Sequence, residues 1–174
     1  AASDVYKRQL YYREGASINN FSSCLPASQS SLAQELTKDP YNFDFLTLRD
    51  GYLERELEDA LTDNITKFLI ELGNGFAYVG RQVRLEVGGD EFFIDLLFYH
   101  LKLRSYVVIE LKTGDFQPEY IGKLGFYVSA INHEMKLPQD NPTIGLLICK
   151  SKNNIVARYT LDTANLPSVS LNMN

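Results

Sequence analysis

The sequence predicts an α/β fold in which a mixed central β-sheet is flanked by helices. Two observations carry this prediction. A stretch with helical periodicity is followed directly by three strand-like runs, and a second helical stretch separates these from two further strand-like runs. This order is typical of an α/β sandwich with a mixed sheet and does not fit a series of βαβ repeats. Apolar residues make up 45% of the 174 residues, which is enough for a real core.

We expect one globular domain at residues 39–174, preceded by residues 1–38 that do not belong to it. Residues 1–9 match no later pattern and look like a cloning or sequence-assembly scar. The polar, serine-rich residues 10–38 are interpreted as the remnant of a truncated helical domain and a linker. The aromatic-rich segment DPYNFDFLTL, which opens the globular part, is expected to dock on the core.

The first element of the globular part is predicted to be one long helix between Gly51 and Leu72. Apolar side chains recur there at steps of three and four, which marks one face of a helix. Gly73 and Gly75 follow and predict its end. The apolar positions are 53, 57, 61, 65, 68, 69 and 72.

The strands are predicted from alternating runs and turn residues. Residues 76–87 and 91–100 flank a Gly-Gly-Asp turn and predict a hairpin. The run SYVVIEL at residues 105–111 predicts a central strand, because both of its faces are apolar. Residues 143–150 and 154–161 predict a fourth and a fifth strand.

A second helix is predicted to begin at Pro118, since proline is tolerated in the first turn. It is expected to end near Asn132. Its inward positions are Ile121, Leu124, Tyr127, Val128 and Ile131.

Three charged residues, Asp95, Glu110 and Lys112, interrupt these apolar strands. Residues two apart in a strand share a face, so Glu110 and Lys112 point the same way. If the two strands pair antiparallel through their short connection, Asp95 lies beside both. Adjacent buried carboxylates repel each other, and a divalent cation such as Mg²⁺ neutralises them well. On spacing alone, a structural ion pair that caps a strand edge is an equal alternative.

Asp95 followed by Ile109-Glu110-Leu111-Lys112 resembles the D…(D/E)xK signature of the PD-(D/E)xK nuclease superfamily, with Ile94 at the position of its usual proline. Longer segments resemble the YhcG-like branch of that superfamily over roughly residues 39–174: LTDNITKFLIELGNGFAYVGRQ, FFIDLLFYH, VVIELKTGDFQPEYIGKLGFYVSA and NPTIGLLICK.

This resemblance implies a restriction-endonuclease-like core and a Mg²⁺-dependent (or Mn²⁺-dependent) endonuclease that hydrolyses phosphodiester bonds in DNA. It implies that Asp95 and Glu110 bind the metal and that Lys112 orients or activates a water. Relatives usually carry a helical domain before the nuclease domain, and the stretch LYYREG would be its stub.

The resemblance also implies a further acidic metal ligand on the first helix. We predict Glu71, which is in phase with Leu53 on the core-facing stripe. Glu58 falls within the same stripe, but Glu71 is nearer the hairpin along the chain. A solvated carboxylate at a helix end is the alternative for Glu71.

Three more residues are expected to contact the substrate. Many relatives carry a Gln-x-x-x-Tyr helix after the ExK strand, and the matching pair here is Lys123 and Tyr127, one helical turn apart. A surface lysine and a packed core tyrosine are the alternatives for these two positions. Gln82 is also expected to line the site.

The charge distribution leaves nucleic-acid binding open. A net charge of −5 argues against a simple basic binding surface. The acidity lies early in the chain, because residues 1–80 hold 12 acidic and 7 basic side chains, whereas residues 81–174 hold ten of each. The C-terminal half can therefore present a local basic face.

Other function classes lack their signals. No run approaches the roughly 20 apolar residues that span a bilayer, and the start lacks the apolar core of a secretory signal. Cys24 and Cys149 make no zinc spacing with His100 or His133. We therefore expect a cytoplasmic protein with no membrane partner. The family resemblance further implies that the protein forms a homodimer. The alternative function is a catalytically silent module on the same fold that binds nucleic acid or protein.

Overall fold

The computed structural model describes residues 17–174, and within them the chain forms a mixed sheet covered by helices on both faces. The strands are β1 (Ile18–Asn19), β2 (Phe76–Val87), β3 (Asp90–His100), β4 (Ser105–Leu111), β5 (Ile144–Cys149) and β6 (Ser168–Asn172). The helices are α1 (Phe21–Cys24), α2 (Ala27–Leu36), α3 (Glu54–Asp63), α4 (Ile65–Leu72), α5 (Pro118–Glu134) and α6 (Asn154–Thr163).

The sheet has the strand order β1-β6-β5-β4-β3-β2. Strands β2, β3 and β4 pair antiparallel, whereas β4, β5 and β6 pair parallel, so the predicted mixed sheet is confirmed. Gly88 and Gly89 join β2 to β3 with φ angles of 60° and 86°, as a tight hairpin turn requires. Strand β4 lies between β3 and β5 and is buried at every position except Tyr106, which confirms a central strand.

Two apolar layers cover the sheet, one on each face. Side chains of α3 and α4, such as Leu57, Leu61 and Phe68, pack with Val107 and Ile109 of β4. On the other face, α5 and α6 pack against the opposite side of the same strand. The second predicted helix is confirmed as α5, and all five of its predicted inward residues are buried. None of the helices in residues 17–174 has the length and apolar composition to cross a membrane.

The first predicted helix is divided in two, which corrects the prediction of one continuous helix. Asn64 separates α3 from α4 with φ −114° and ψ 42°, and its side-chain amide donates to the Ala60 carbonyl at 2.9 Å. Such a side-chain bond competes with the helical backbone ladder. Leu53, predicted to face the core, is 58% exposed and only caps α3. Gly73 ends α4, as predicted.

The prediction of a strand at residues 154–161 is wrong, because this segment is helix α6. The Asn153 side chain accepts the backbone N–H groups of Ile155 and Val156, which starts a helix despite two β-branched residues. Ala157 and Leu161, four residues apart, face the core. The sheet position belongs instead to β6, an unpredicted strand with an alternating Ser-Val-Ser-Leu run.

Part of the predicted linker packs on the same core. Strand β1 pairs antiparallel with β6, and Phe21 is fully buried, so residues 17–38 are no free linker. Tyr41 and Phe43 are buried, which confirms that the aromatic-rich segment docks on the core. The predicted scar at residues 1–9 and the stub at residues 10–15 lie outside the described residues. The separate N-terminal domain therefore stays a prediction.

His100, the last residue of β3, is completely buried in its neutral form. Its Nδ1 accepts the backbone N–H groups of Lys102 and Leu103, each at 3.2 Å, so the ring proton lies on Nε2, 3.1 Å from the Asn74 carbonyl oxygen. Burial lowers the pKa of this imidazole below its ordinary value of 6.5.

We expect His100 to make the fold acid-sensitive. The unfolded chain binds the imidazole proton more readily than the folded protein, so stability is lost as the pH falls below about 6.5, by up to about 1.4 kcal/mol per pH unit. Urea unfolding at pH 7.5 and pH 5.5 measures this loss. It should be smaller in His100→Gln than in the exposed control His133→Gln. Equal losses in the two variants would contradict the prediction.

Candidate active site

The candidate site lies where β3 and β4 separate. Their pairing ends at Leu96 and Ile109, and the next residues along the two strands are Asp95 and Glu110. Asp95 turns its carboxylate to the end of β4, where Oδ2 accepts the backbone N–H of Leu111 at 3.1 Å. Two carboxylates from neighbouring strands therefore lie side by side.

One oxygen of the Glu110 carboxylate has no hydrogen-bond partner among the described residues. Glu110 is 2% exposed, and its Oε1 is buried without a hydrogen-bond partner in that part of the chain. Burial, followed by the charge of Asp95, raises the pKa of Glu110 to about 8. Such a group takes up either a proton or a cation near neutral pH.

Two ammonium groups flank Glu110 from different elements. Lys123, on α5, holds its Nζ 4.0 Å from Glu110 Oε2 and 5.6 Å from the ring centre of Tyr127. Lys112, two residues after Glu110, holds its Nζ 4.7 Å from the ring centre of Tyr120. Both charges lower the pKa of Glu110, but burial and Asp95 outweigh them. Tyr127 is 4% exposed, and its ring packs beside Lys123.

Gln82, on the edge strand β2, connects two acidic residues. Its amide Nε2 donates to Glu58 Oε2 at 2.9 Å and lies 3.4 Å from Asp95 Oδ1. The backbone of Gln82 has φ 45°, a left-handed conformation that is uncommon for a residue with a side chain. Strained conformations of this kind concentrate at functional sites.

The helix carboxylate beside Asp95 belongs to Glu58. Glu58 is 4% exposed, and its Oε1 accepts Arg81 Nε at 3.2 Å. Burial raises the pKa of Glu58, whereas the Gln82 hydrogen bond and the Arg81 charge oppose this. These residues line a cleft of about 370 Å³, formed by Glu54, Arg55, Glu58, Arg81, Gln82 and Asp95.

Glu71, the predicted helix ligand, faces a different cleft. Its Oε2 accepts the backbone N–H of Asn42 at 2.6 Å, and its Oε1 lies 3.9 Å from Lys38 Nζ. The helix break at Asn64 accounts for this placement, because a stripe extended from Leu53 loses its phase there. The N-terminal half of the predicted helix lies nearest the site, and Glu54 accepts Thr113 Oγ1 at 3.2 Å just beyond β4.

The donor set suits a hard divalent cation. Within residues 17–174, no three or more His, Cys, Asp or Glu side chains are placed together to hold a metal. Mg²⁺ needs no such cage, since it commonly binds through one or two carboxylates and completes its octahedron with waters and substrate phosphate. The unpartnered Oε1 of Glu110 beside Asp95 fits that mode of binding.

Comparison with known proteins identifies the family. Residues 34–171 match the family model described as "YhcG PDDEXK nuclease domain". The chain belongs to the YhcG PDDEXK nuclease domain family. Among its relatives is the Escherichia coli (strain K12) protein named "Putative nuclease YhcG", which is 36% identical over 170 residues. That alignment covers 98% of this chain and 44% of the relative, so this YhcG-type domain spans less than half of the longer protein.

A solved structure shares the fold of the YhcG-type domain at low sequence identity, and another is more distantly similar. A structure described as an EndoMS–dsDNA2 complex has a TM-score of 0.50 at 20% identity, covering 74% of this chain and 48% of that chain. A repair endonuclease from Pyrococcus abyssi has a TM-score of 0.46 at 20% identity, covering 72% of this chain and 50% of that chain. The predicted restriction-endonuclease-like core, a mixed sheet flanked by helices, is confirmed.

Proposed function

We propose that this nuclease domain hydrolyses phosphodiester bonds in DNA with the help of a divalent cation, Mg²⁺ or Mn²⁺. One observation carries the proposal: the buried, unpartnered Glu110 Oε1 lies beside Asp95, with the ammonium of Lys112 two residues further along the strand. Membership of a nuclease family supports the reaction class.

Asp95 and Glu110 would hold the cation in this proposal. When bound, a divalent cation supplies charge compensation for the phosphate and makes a coordinated water more acidic. Asp95 is oriented for this role by the Leu111 N–H and by Gln82. The apolar layers on both faces of β4 keep Glu110 away from bulk water, which strengthens its interaction with any cation.

Lys112 is assigned to the water and the phosphate. Its ammonium lies on the same side of β4 as Glu110, because the two residues are two positions apart. There it can orient the attacking water and donate to a non-bridging phosphate oxygen as negative charge develops. Lys123 and Tyr127 lie together beside Glu110, and we propose that the Lys123 ammonium contacts the substrate backbone.

Glu58 is proposed as the helix carboxylate of the site, in place of Glu71. We expect Glu58→Gln to lower the cleavage rate by roughly ten- to a hundredfold, as changes to outer-shell partners of metal ligands do. The substitution weakens the charged hydrogen bond that holds Gln82 against Asp95. Glu71→Gln should keep the rate within about twofold of the unchanged protein, the scale of a surface change. Initial cleavage rates of the two variants measure the difference.

The matched control for Glu58 is Asp59→Asn. Asp59 also binds Arg81, but it is 49% exposed on the solvent side and does not contact Gln82. If Asp59→Asn slows cleavage as much as Glu58→Gln, the effect comes from Arg81 and the role assigned to Glu58 is wrong.

DNA is the proposed substrate, and a homodimer is the proposed assembly. The fold supports DNA as the first substrate to test, because a protein with this fold has been solved with double-stranded DNA. Two identical sites would let a dimer cut both strands of a duplex. Analytical ultracentrifugation with and without a duplex oligonucleotide tests the dimer, and a monomer in both conditions would contradict it.

A cleavage assay tests the proposed function. Supercoiled plasmid, linear duplex, branched DNA, single-stranded DNA and RNA are incubated with Mg²⁺, Mn²⁺ or EDTA. We expect cleavage of at least one DNA substrate with either cation, none in EDTA, and none with Asp95→Asn. Binding of DNA without cleavage under all of these conditions would favour the silent binding module instead.

A further inference from the structure

The ion pair between Lys123 and Glu110 places a positive charge at the position where the cation is needed. Lys123 Nζ is 4.0 Å from Glu110 Oε2, and the Lys123 side chain is 52% exposed. The other nearby ammonium, that of Lys112, lies over the Tyr120 ring. Lys123 therefore forms an ion pair with a carboxylate that is 2% exposed.

A dication on Glu110 and this ammonium repel each other. A charge of two on the carboxylate would stand within a few ångströms of Lys123 Nζ, and the interaction is screened only partly beside a buried group. Lys123 can move, because its long side chain is about half exposed and its Nζ lies 4.0 Å from Glu110 Oε2 and 5.6 Å from the Tyr127 ring centre, both loose contacts. Glu110 cannot move in the same way, since it is fixed in a central strand.

We propose that Lys123 is a built-in counter-ion that competes with the metal for Glu110. In the metal-free protein its ammonium compensates the carboxylate, and metal binding displaces it toward the open side of the site, where a substrate phosphate can take it up. This inference rests on the proposed metal-binding function. Only molecules in which the ion pair is open can bind the cation. The apparent affinity is therefore the intrinsic affinity multiplied by the fraction of molecules with an open ion pair.

Mn²⁺ binding tests the competition without any cleavage. Free Mn²⁺ is followed by electron paramagnetic resonance during titration of the unchanged protein and of four variants: Lys123→Gln, Lys123→Arg, Lys102→Gln and Asp95→Asn. We expect Lys123→Gln to lower the Kd for Mn²⁺ by roughly tenfold, since it removes a charge within direct range. Lys123→Arg keeps the charge and should not tighten binding.

Lys102→Gln is the control for net charge. Lys102 is exposed in the turn at the far end of the β3–β4 hairpin, beyond the screening length at about 0.1 M salt, so its loss should change the Kd by less than about twofold. Thermal unfolding of each variant establishes that it is folded.

Two results overturn the inference, and they differ in meaning. If the unchanged protein binds Mn²⁺ in a manner that Asp95→Asn removes, but Lys123→Gln binds it equally or more weakly, Lys123 is no competitor and the proposed function stands. If the unchanged protein takes up no Mn²⁺ that depends on Asp95, the competition and the metal-dependent function fail together.

Discussion

Replacing Glu110 by glutamine should abolish cleavage and yet stabilise the metal-free domain at neutral pH. The change removes one of two carboxylates proposed to hold the cation. We expect a loss of more than about a hundredfold in rate, beyond what outer-shell changes cost. The same change removes a carboxyl group that is buried, unpartnered at Oε1 and, when ionised, repelled by Asp95. A site that destabilises its own fold is expected where function requires a buried ionisable group.

The stabilisation should depend on pH in a defined direction. The pKa of Glu110 is raised from 4.5 to about 8, so between these values the folded protein holds a proton that the unfolded chain has lost. The stability contribution present below pH 4.5 is therefore lost as the pH rises toward 8, by on the order of 2–4 kcal/mol. Glutamine does not titrate, so the advantage of Glu110→Gln should grow between pH 5.5 and pH 7.5.

Urea unfolding in EDTA at these two pH values, together with a cleavage assay, measures both effects. Glu119→Gln is the matched control, because Glu119 is exposed in the first turn of α5. A Glu110→Gln variant that is less stable than the unchanged protein at pH 7.5, or that still cleaves DNA, would contradict the role given to this residue.

Replacing Lys112 by methionine should stop the chemical step while metal binding persists. Methionine keeps the length and apolar stem of the side chain but removes the ammonium that we assign to the water and the phosphate. General acid–base groups contribute roughly a hundred- to ten-thousandfold, and we expect a loss in that range. Lys112 is no proposed metal ligand, so Mn²⁺ binding should stay close to that of the unchanged protein.

Single-turnover cleavage and Mn²⁺ titration separate these two properties. Lys67→Met is the matched control, since Lys67 is exposed on α4 and lines a different cleft. An unchanged cleavage rate in Lys112→Met would contradict the catalytic role assigned to Lys112. A parallel loss of Mn²⁺ binding would instead show that Lys112 helps to form the metal site.

The pairing of β3 with β4 shows what local sequence patterns can predict about the site. A short connection between two apolar runs predicts an antiparallel pair, and the two-residue period of a strand assigns each side chain to a face. These rules alone predict that Asp95 and Glu110 meet, and the Leu111 N–H bond to Asp95 agrees with that register. Helix α6 shows where such rules fail. Its β-branched start predicts a strand, whereas the Asn153 cap and the buried Ala157–Leu161 stripe stabilise a helix.

The sequence by itself determined the mixed α/β sheet, the β2–β3 hairpin, the central strand and the adjacency of Asp95 and Glu110, because each depends on the order of the elements, on the period within one element or on the turn that joins two neighbours. The metal-binding and catalytic roles proposed for Asp95, Glu110 and Lys112 come from the family resemblance, because spacing alone allows a structural ion pair equally well. The tertiary structure alone decided which helix carboxylate stands beside Asp95. Glu58 and Glu71 lie on the same predicted stripe, and the choice depends on the break at Asn64 and on which end of α3 packs against β4. It likewise decided that residues 18 and 19 complete the sheet edge, since an isolated two-residue strand has no period and is stabilised only by the partner it meets.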